Sequence, residues 1–333
     1  MKFGAVPLTE AEGAILAHSV ALPKGRLRKG VVLDAAALGK LTAAGVQHVT
    51  VARLDADDVH EDRAAERLAQ SLVPDPAAVH LRLAPASTGR VNIYATQTGV
   101  AQIDAAKINA VNAVHPMVTV ATVPEWHRMA ARGMVATVKI ISYAAPEAAV
   151  AAACVAGQDA LSLRPVTRSR VLLIQTSVGG RDDSAKGQRA MGLRFDRMGV
   201  SLGLKTVVAH DIDALRHALT DAAPEYDMLC ILTGSATSDL YDVAPEAVRA
   251  AGGEVVHYGM PVDPGNLLFW GHIGNVPVIG LPGCAKSPAL NGADWVLERL
   301  LCNVPVRPQD IMGMGVGGLL KEPPSRPLPR ETA

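Results

Sequence analysis

The sequence predicts an α/β protein: a three-layer α/β/α domain with a mostly parallel sheet, preceded by a strand-rich α+β part. Three observations carry this. At 333 residues the chain is long for a single core, so it divides into domains. From residue 170 onward, apolar runs alternate with amphipathic ones in a strand, loop, helix rhythm, which is the pattern of a parallel sheet covered on both faces. Before residue 165, short strands mix irregularly with helices, and no internal repeat is visible. The expected boundaries are 1–165 for the first part, with 1–54 a small strand–helix–strand unit and 60–165 mixed. The α/β domain takes 168–303, and 304–333 is a C-terminal extension whose proline-rich end is expected to be disordered.

In chain order, "GAILAHSV" reads as a strand and "PKGRLRKG" as a basic turn bounded by glycines. The cluster Lys24, Arg26, Arg28 and Lys29 is weighed as a phosphate site but fits a solvated hairpin better. "DAAALGKLTAAG" is a helix capped by Asp34 and stopped at Gly45, and "VQHVTVARL" is a strand. Residues 60–73 are helical until "VPDP" breaks them. The strands "RVNIYATQ", "MVTVATV" and "MVATVKIISY" follow, with helices at "DAAKINAVNAV" and at 146–157. In the second half, "RVLLIQTS" leads to a helix from about 184 to Gly199, "LKTVVAHD" to a helix capped by Asp211, and "DMLCILTG" to a helix with Pro245 in its first turn. "NLLFWGHIGNVPVIGLPG" is a hairpin turning at Gly274-Asn275. The last helix, "SPALNGADWVLERLLCN", is expected to be capped by Ser287, with Pro288 in its first turn and Leu290 on its apolar stripe.

Composition excludes several classes. Hydrophobic residues make up 49% and charged residues 19%, so the chain is globular. With 32 basic and 32 acidic residues the net charge is +0, which leaves no long-range field for nucleic acid or an anionic membrane. Aromatics at 3% supply few base-stacking platforms. Neither nucleic acid nor membrane is therefore an expected partner. Glu10 and Glu12 interrupt the only N-terminal apolar stretch, so no signal peptide is expected. The four cysteines, Cys154, Cys230, Cys284 and Cys302, are scattered without metal-ligand spacing, which suits a reducing cytoplasm.

Ligands of open parallel sheets bind beyond the carboxyl ends of the strands. Five segments reach that edge here: "TSVGGRDDS", "HDID", "TGSATSDLYD", "PVDPGN" and "GLPGCAKSP". All are rich in Gly, Ser, Thr, Asp or Pro, and in "TGSATSDLYD" the small residues let the backbone approach a ligand closely and leave amides free for an anion. Asp239 and Asp242 repel a bare phosphate, so they imply a bridging cation, donors on the ligand, or a capping role. Asp211 sits where any helix favours an acid. Cys284 precedes a helix start, where a thiol pKa falls and a nucleophile arises. With no histidine beside it in sequence, a small buried structural cysteine is the expected reading.

These segments resemble the molybdopterin-binding domain shared by molybdopterin adenylyltransferase, molybdopterin molybdotransferase and the competence/damage-inducible proteins. "YDVAPEAVRAAGG" is similar to the adenylyltransferase pattern Asp-Val-Thr-Pro-Glu-Ala, which puts Asp242 on a functional aspartate. "VDPGNLLFWGHIGNVPVIGLPGCAKSP" is similar to the molybdotransferase order of Pro-Gly-Lys-Pro, a hairpin, and Gly-Leu-Pro-Gly-Asn-Pro-x-Ser. The likeness spans 168–303, and the first 54 residues resemble the lysine–glycine unit that precedes this domain in molybdopterin-binding proteins. The chain departs from the pattern at Gly234-Ser235-Ala236-Thr237, where a second glycine is lost, and at Asn266 and Cys284, which replace a lysine and an asparagine. The acid pair is also one residue wider.

The resemblance implies a molybdenum cofactor biosynthesis protein that binds molybdopterin or adenylylated molybdopterin. The implied binding residues are Thr233, Gly234, Ser235, Thr237, Ser238, Pro264, Gly265, Asn266, Pro282, Gly283, Cys284 and Ser287. As a transferase it would insert molybdate, with Asp239 and Asp242 holding Mg²⁺ or orienting the anion and Asp211 assisting. A homodimer and contacts with other cofactor-biosynthesis proteins are implied too. Two alternatives stay open: a non-catalytic molybdopterin carrier or regulatory module, and a nucleotide-pyrophosphate-cleaving enzyme like the competence/damage-inducible proteins.

Overall fold

A computed structural model describes residues 1–180 and 184–320 of the chain. Part of the loop "TSVGGRDDS" (181–183) and the proline-rich end (321–333) lie outside the described residues. The chain separates into two compact units, Met1–Gln97 with Ala101–Leu163, and Thr98–Val100 with the chain from Arg164 on.

In the first unit, the Asp34 carboxylate accepts from the Ala37 amide and starts the helix Ala35–Ala43. Gly45, at φ +73°, turns the chain out of it in the left-handed conformation that glycine tolerates. Leu41 of that helix joins Leu8, Leu16, Leu33 and Val51 in a small core, next to a three-stranded antiparallel sheet centred on His48–Arg53. The basic cluster is exposed on the hairpin of Val20–Ala21 and Arg26–Leu27. A second core fills the space between the helices Glu61–Leu72, Ala105–Val114 and Glu147–Ala156 and a four-stranded antiparallel sheet. That sheet runs in the order Val118–Thr122, Met134–Ile140, Arg90–Ala95, Leu81–Leu83. The strands Gly99–Ile103 and Leu161–Pro165 were not legible as such, because their apolar runs are short and the second ends in proline, which reads as a break.

The second unit is the one the strand–helix rhythm describes. Its strands are β1 (Val171–Ser177), β2 (Thr206–Ala209), β3 (Met228–Leu232), β4 (Glu254–Tyr258), β5 (Phe269–Ile273) and β6 (Val276–Leu281). They form one sheet in the order β2-β1-β3-β6-β5-β4. The first four of that order are parallel, and the hairpin β5–β6 with β4 completes it antiparallel. Leu172, Ile174, Leu229, Ile231, Phe269 and Val278 face one way and pack on α2 (Ile212–Ala222) and α3 (Val243–Ala250) through Leu215, Leu219, Ala247 and Val248. Alternate strand residues face the other way. There α1 (Ser184–Arg197) comes so close that a Cβ on Gly187 would strike Gln175 and Leu232, and an Arg194–Asp294 ion pair joins α1 to α4 (Gly292–Leu301). The result is a three-layer α/β/α arrangement.

The start of α4 differs from expectation. Gly283–Lys286 is a short 3-10 turn, residues 287–290 run on without helix, and the cap is Asn291 rather than Ser287. Two capping signals lie close in sequence, and the second wins because it is reciprocal. The Asn291 side chain accepts from Ala293, while the Asn291 amide donates to Asp294 at 3.0 Å. Leu290 consequently lies off the buried stripe, at 54% exposed.

Candidate functional site

Parallel strands send their following loops off one edge of the sheet, so the segments after β1, β2, β3 and β6 share a rim. Leu232 pairs with Leu281, so Thr233 and Pro282 leave the sheet side by side. Phe269 pairs with Gly280, which brings the segment before β5, with Pro264, Gly265 and Asn266, to the same edge.

Thr176, at the end of β1, ties three of these loops. Its Oγ1 accepts from the Gly234 amide at 2.9 Å and lies 2.8 Å from His210 Nδ1, beyond β2. The His210 amide also donates to the Ser177 carbonyl. A Cβ on Gly234 would come within 2.6 Å of the Thr176 carbonyl, so this first glycine is required although the second one is replaced.

Within Thr233–Asp242 the side chains are largely committed to the loop. Thr233 and Thr237 are buried with their hydroxyls 3.4 Å apart, and Tyr258 donates to the Thr237 carbonyl. The Asp242 carboxylate accepts from Val243 at 2.7 Å and from Ser238 at 2.9 Å, which makes it the cap of α3. Asp239 accepts from the Tyr241 amide. Burial first, and then the charges of Asp239 and Asp242, push the Tyr258 hydroxyl above its usual pKa, so both acids lie near that ring. Ser235, Ser238 and Asp239 are exposed. Asp211 accepts from the Asp213 and Ala214 amides and caps α2.

Gly265 has φ +143°, and a Cβ there would meet the Gly292 amide at 2.7 Å, so the Pro264–Asn266 segment rests on the start of α4. The Gly292 amide donates to the Pro264 carbonyl. Asp263 pairs with the C-terminal stretch, donating to Gly318 and accepting from Leu320. Together they line a cavity of about 430 Å³ formed by Pro261, Asp263, Asn266, Gly315, Gly318 and Leu319. The C-terminal contribution was not legible, since nothing in "MGMGVGGLL" announces a partner strand.

The third segment holds a correction. Cys284 was expected to be a small buried cysteine, yet it is exposed, because the 3-10 turn carries it outward. Nor does it gain a nucleophile's acidity. Neighbouring atoms desolvate the sulfur enough to push the thiol up, outweighing the nearby Arg194 charge. Gly283 and Ser287 are exposed as well.

Among the described residues, the polar and charged ones that are buried as whole residues belong to this unit: Gln175, Thr176, Ser184, Arg194, Thr233, Thr237, Asn291 and Asp294. Arg194 and Thr176 were missed by sequence reasoning. The available signal for Arg194 was a cation on the stripe Met191, Phe195, Met198, which is otherwise apolar. Gln175 Nε2 and Asn291 Nδ2 are buried donors without an acceptor in the protein. Among the described residues, no three His, Cys, Asp or Glu side chains group to hold a metal.

Residues 5–53 match a family model described as a domain of unknown function (DUF8806). No curated protein matches the chain. Among solved structures, the chain is similar to the molybdopterin biosynthesis MoeA protein of Pyrococcus horikosii, at 15% identity over 91% of this chain and 75% of that one, TM-score 0.32. It is similar to the molybdopterin biosynthesis Mog protein of Mycobacterium ulcerans at 20% identity over 40% of this chain and 92% of that one, TM-score 0.27. For the CinA protein of Thermoplasma acidophilum the figures are 16% identity, 36% and 92%, with TM-score 0.24. Likenesses at this level carry no weight for function.

Proposed function

We propose that the second unit binds molybdopterin, or its adenylylated form, on the rim built by Thr233–Asp242, Pro264–Asn266 and Pro282–Ser287. The observation that supports this most is the gathering of these three segments at one edge of a parallel sheet, in the order that resembles the molybdopterin-binding domain. A pterin dithiolene with one phosphate needs amide and hydroxyl donors for the phosphate and acceptors for the pterin N–H edge. Ser235, Ser238, Ser287 and the loop amides supply the first, and Asp239 and Asp242 the second. Molybdate insertion is the reaction this reading favours, with those acids holding Mg²⁺ and the cation orienting the oxyanion. One observation favours a carrier without catalysis instead: both oxygens of Asp242 already accept backbone amides.

Hydrogen exchange with and without molybdopterin under anaerobic conditions tests the site. Protection is expected in peptides covering 233–242, 264–266 and 282–287, and protection confined to other segments would refute the rim. Molybdenum transfer to a cofactor-free acceptor then separates the enzyme from the carrier. Transfer by wild type that Asp242→Asn abolishes marks the enzyme, and absence of transfer despite binding marks the carrier.

A further inference from the structure

Arg194 sits in the last turn of α1 and is only 5% exposed. All five of its N–H donors are used. Nε donates to Asp294, one terminal nitrogen to the carbonyls of Ala190 and Ala285, and the other to those of Ser287 and Ala289. A buried ion pair does not by itself account for its own presence, because apolar residues of similar volume stabilise a core as well or better. What apolar residues cannot do is fix a backbone path. Three of the acceptors belong to one stretch, 285–289, which is a short turn followed by chain without regular structure.

Drawing those carbonyls inward also changes the field at the surface. Their negative ends are withdrawn from the side of the segment that carries Cys284 and Ser287, both of which are exposed, and Lys286 lies between them. That side carries the Ser287 hydroxyl and the Lys286 ammonium, while the amides of Ala285, Ser287 and Ala289 are already bonded within the turn.

We infer that Arg194 is a positioning residue: it holds the 285–289 stretch with the carbonyls of Ala285, Ser287 and Ala289 turned inward, so that this arm of the rim receives the ligand's phosphate. The consequence for binding rests on the cofactor reading above, whereas the clamp itself does not. Lysine cannot replace Arg194, because its three donors radiate from one atom and cannot fork across separate carbonyls.

Two variants test this by amide hydrogen exchange. Arg194→Lys keeps the charge opposite Asp294, and Arg194→Met with Asp294→Leu removes both charges together. Peptides from β1 report whether the sheet is intact in each. In a variant whose β1 stays protected, exchange across residues 283–291 is expected to rise about tenfold or more. Anaerobic calorimetry with molybdopterin is expected to show about a tenfold or greater loss of affinity in the same variants. Wild-type protection of 283–291 in a folded variant would overturn the clamp, and faster exchange with unchanged affinity would overturn its role in binding. Wild type that binds no molybdopterin would overturn the cofactor reading alone, with the exchange data still deciding the clamp.

Discussion

At the scale of single residues, Asp242 separates two roles that the sequence left entangled. It caps α3 through Val243 while also accepting from Ser238. Asparagine caps about as well as aspartate, whereas alanine costs about 1 kcal/mol. Thermal melts are therefore expected to show Asp242→Asn close to wild type and Asp242→Ala lowered, and an equal loss in both would mean that the charge rather than the cap stabilises this turn. Gly234 is the second such position. Alanine there places a methyl carbon 2.6 Å from the Thr176 carbonyl. A loss of about 1–3 kcal/mol is expected in denaturant unfolding, as for other overpacked sites. The caps Asp34 and Asp211 were legible because capping is local chemistry within a few residues, and for Asp242 capping was one of the readings left open. Thr176 and Arg194 were not, because apart from the Ala190 carbonyl their partners lie 34 to 100 residues away in sequence.

At the scale of elements, the sheet's alternation was legible from apolar runs, and the hairpin from its Gly274-Asn275 turn. The start of α4 was not, because Ser287-Pro288 and Asn291 with Asp294 both signal a cap and only the buried partners decide between them. The entries to β1 and β3 are joined by another feature that sequence does not reveal. Arg170 forks onto Asp227, whose other oxygen accepts the Ser169 and Arg170 amides. The Arg170 guanidinium first, and then its backbone amide, hold the Asp227 carboxyl below its ordinary value of 3.8. A group whose folded pKa is depressed stabilises the fold above its unfolded pKa and loses that contribution as pH falls through the folded one. Asp227→Asn should therefore lower stability at neutral pH, with the gap to wild type closing only at pH below 3.8. Urea melts across that range check it, and a gap constant down to the acid end would show that the charge contributes nothing.

At the scale of the whole molecule, the chain is two units; the buried Arg194–Asp294 pair lies in the second, and the first buries the Asp58 carboxylate against the amino terminus. Self-association follows from the resemblance rather than from the residues, so light scattering should give about twice the 34.7 kDa of one chain, and a monomer mass throughout the micromolar range would exclude the dimer. The fold of the second unit was legible because periodicity reports burial directly. The shape of its rim was not, since it depends on Thr176, Arg194 and the C-terminal stretch at Gly318, all reached through tertiary contacts. Anaerobic calorimetry with molybdopterin and, separately, with ADP-ribose tests the central claim most directly. The account predicts saturable binding of molybdopterin and none of ADP-ribose; binding of ADP-ribose alone, or of neither, would contradict it.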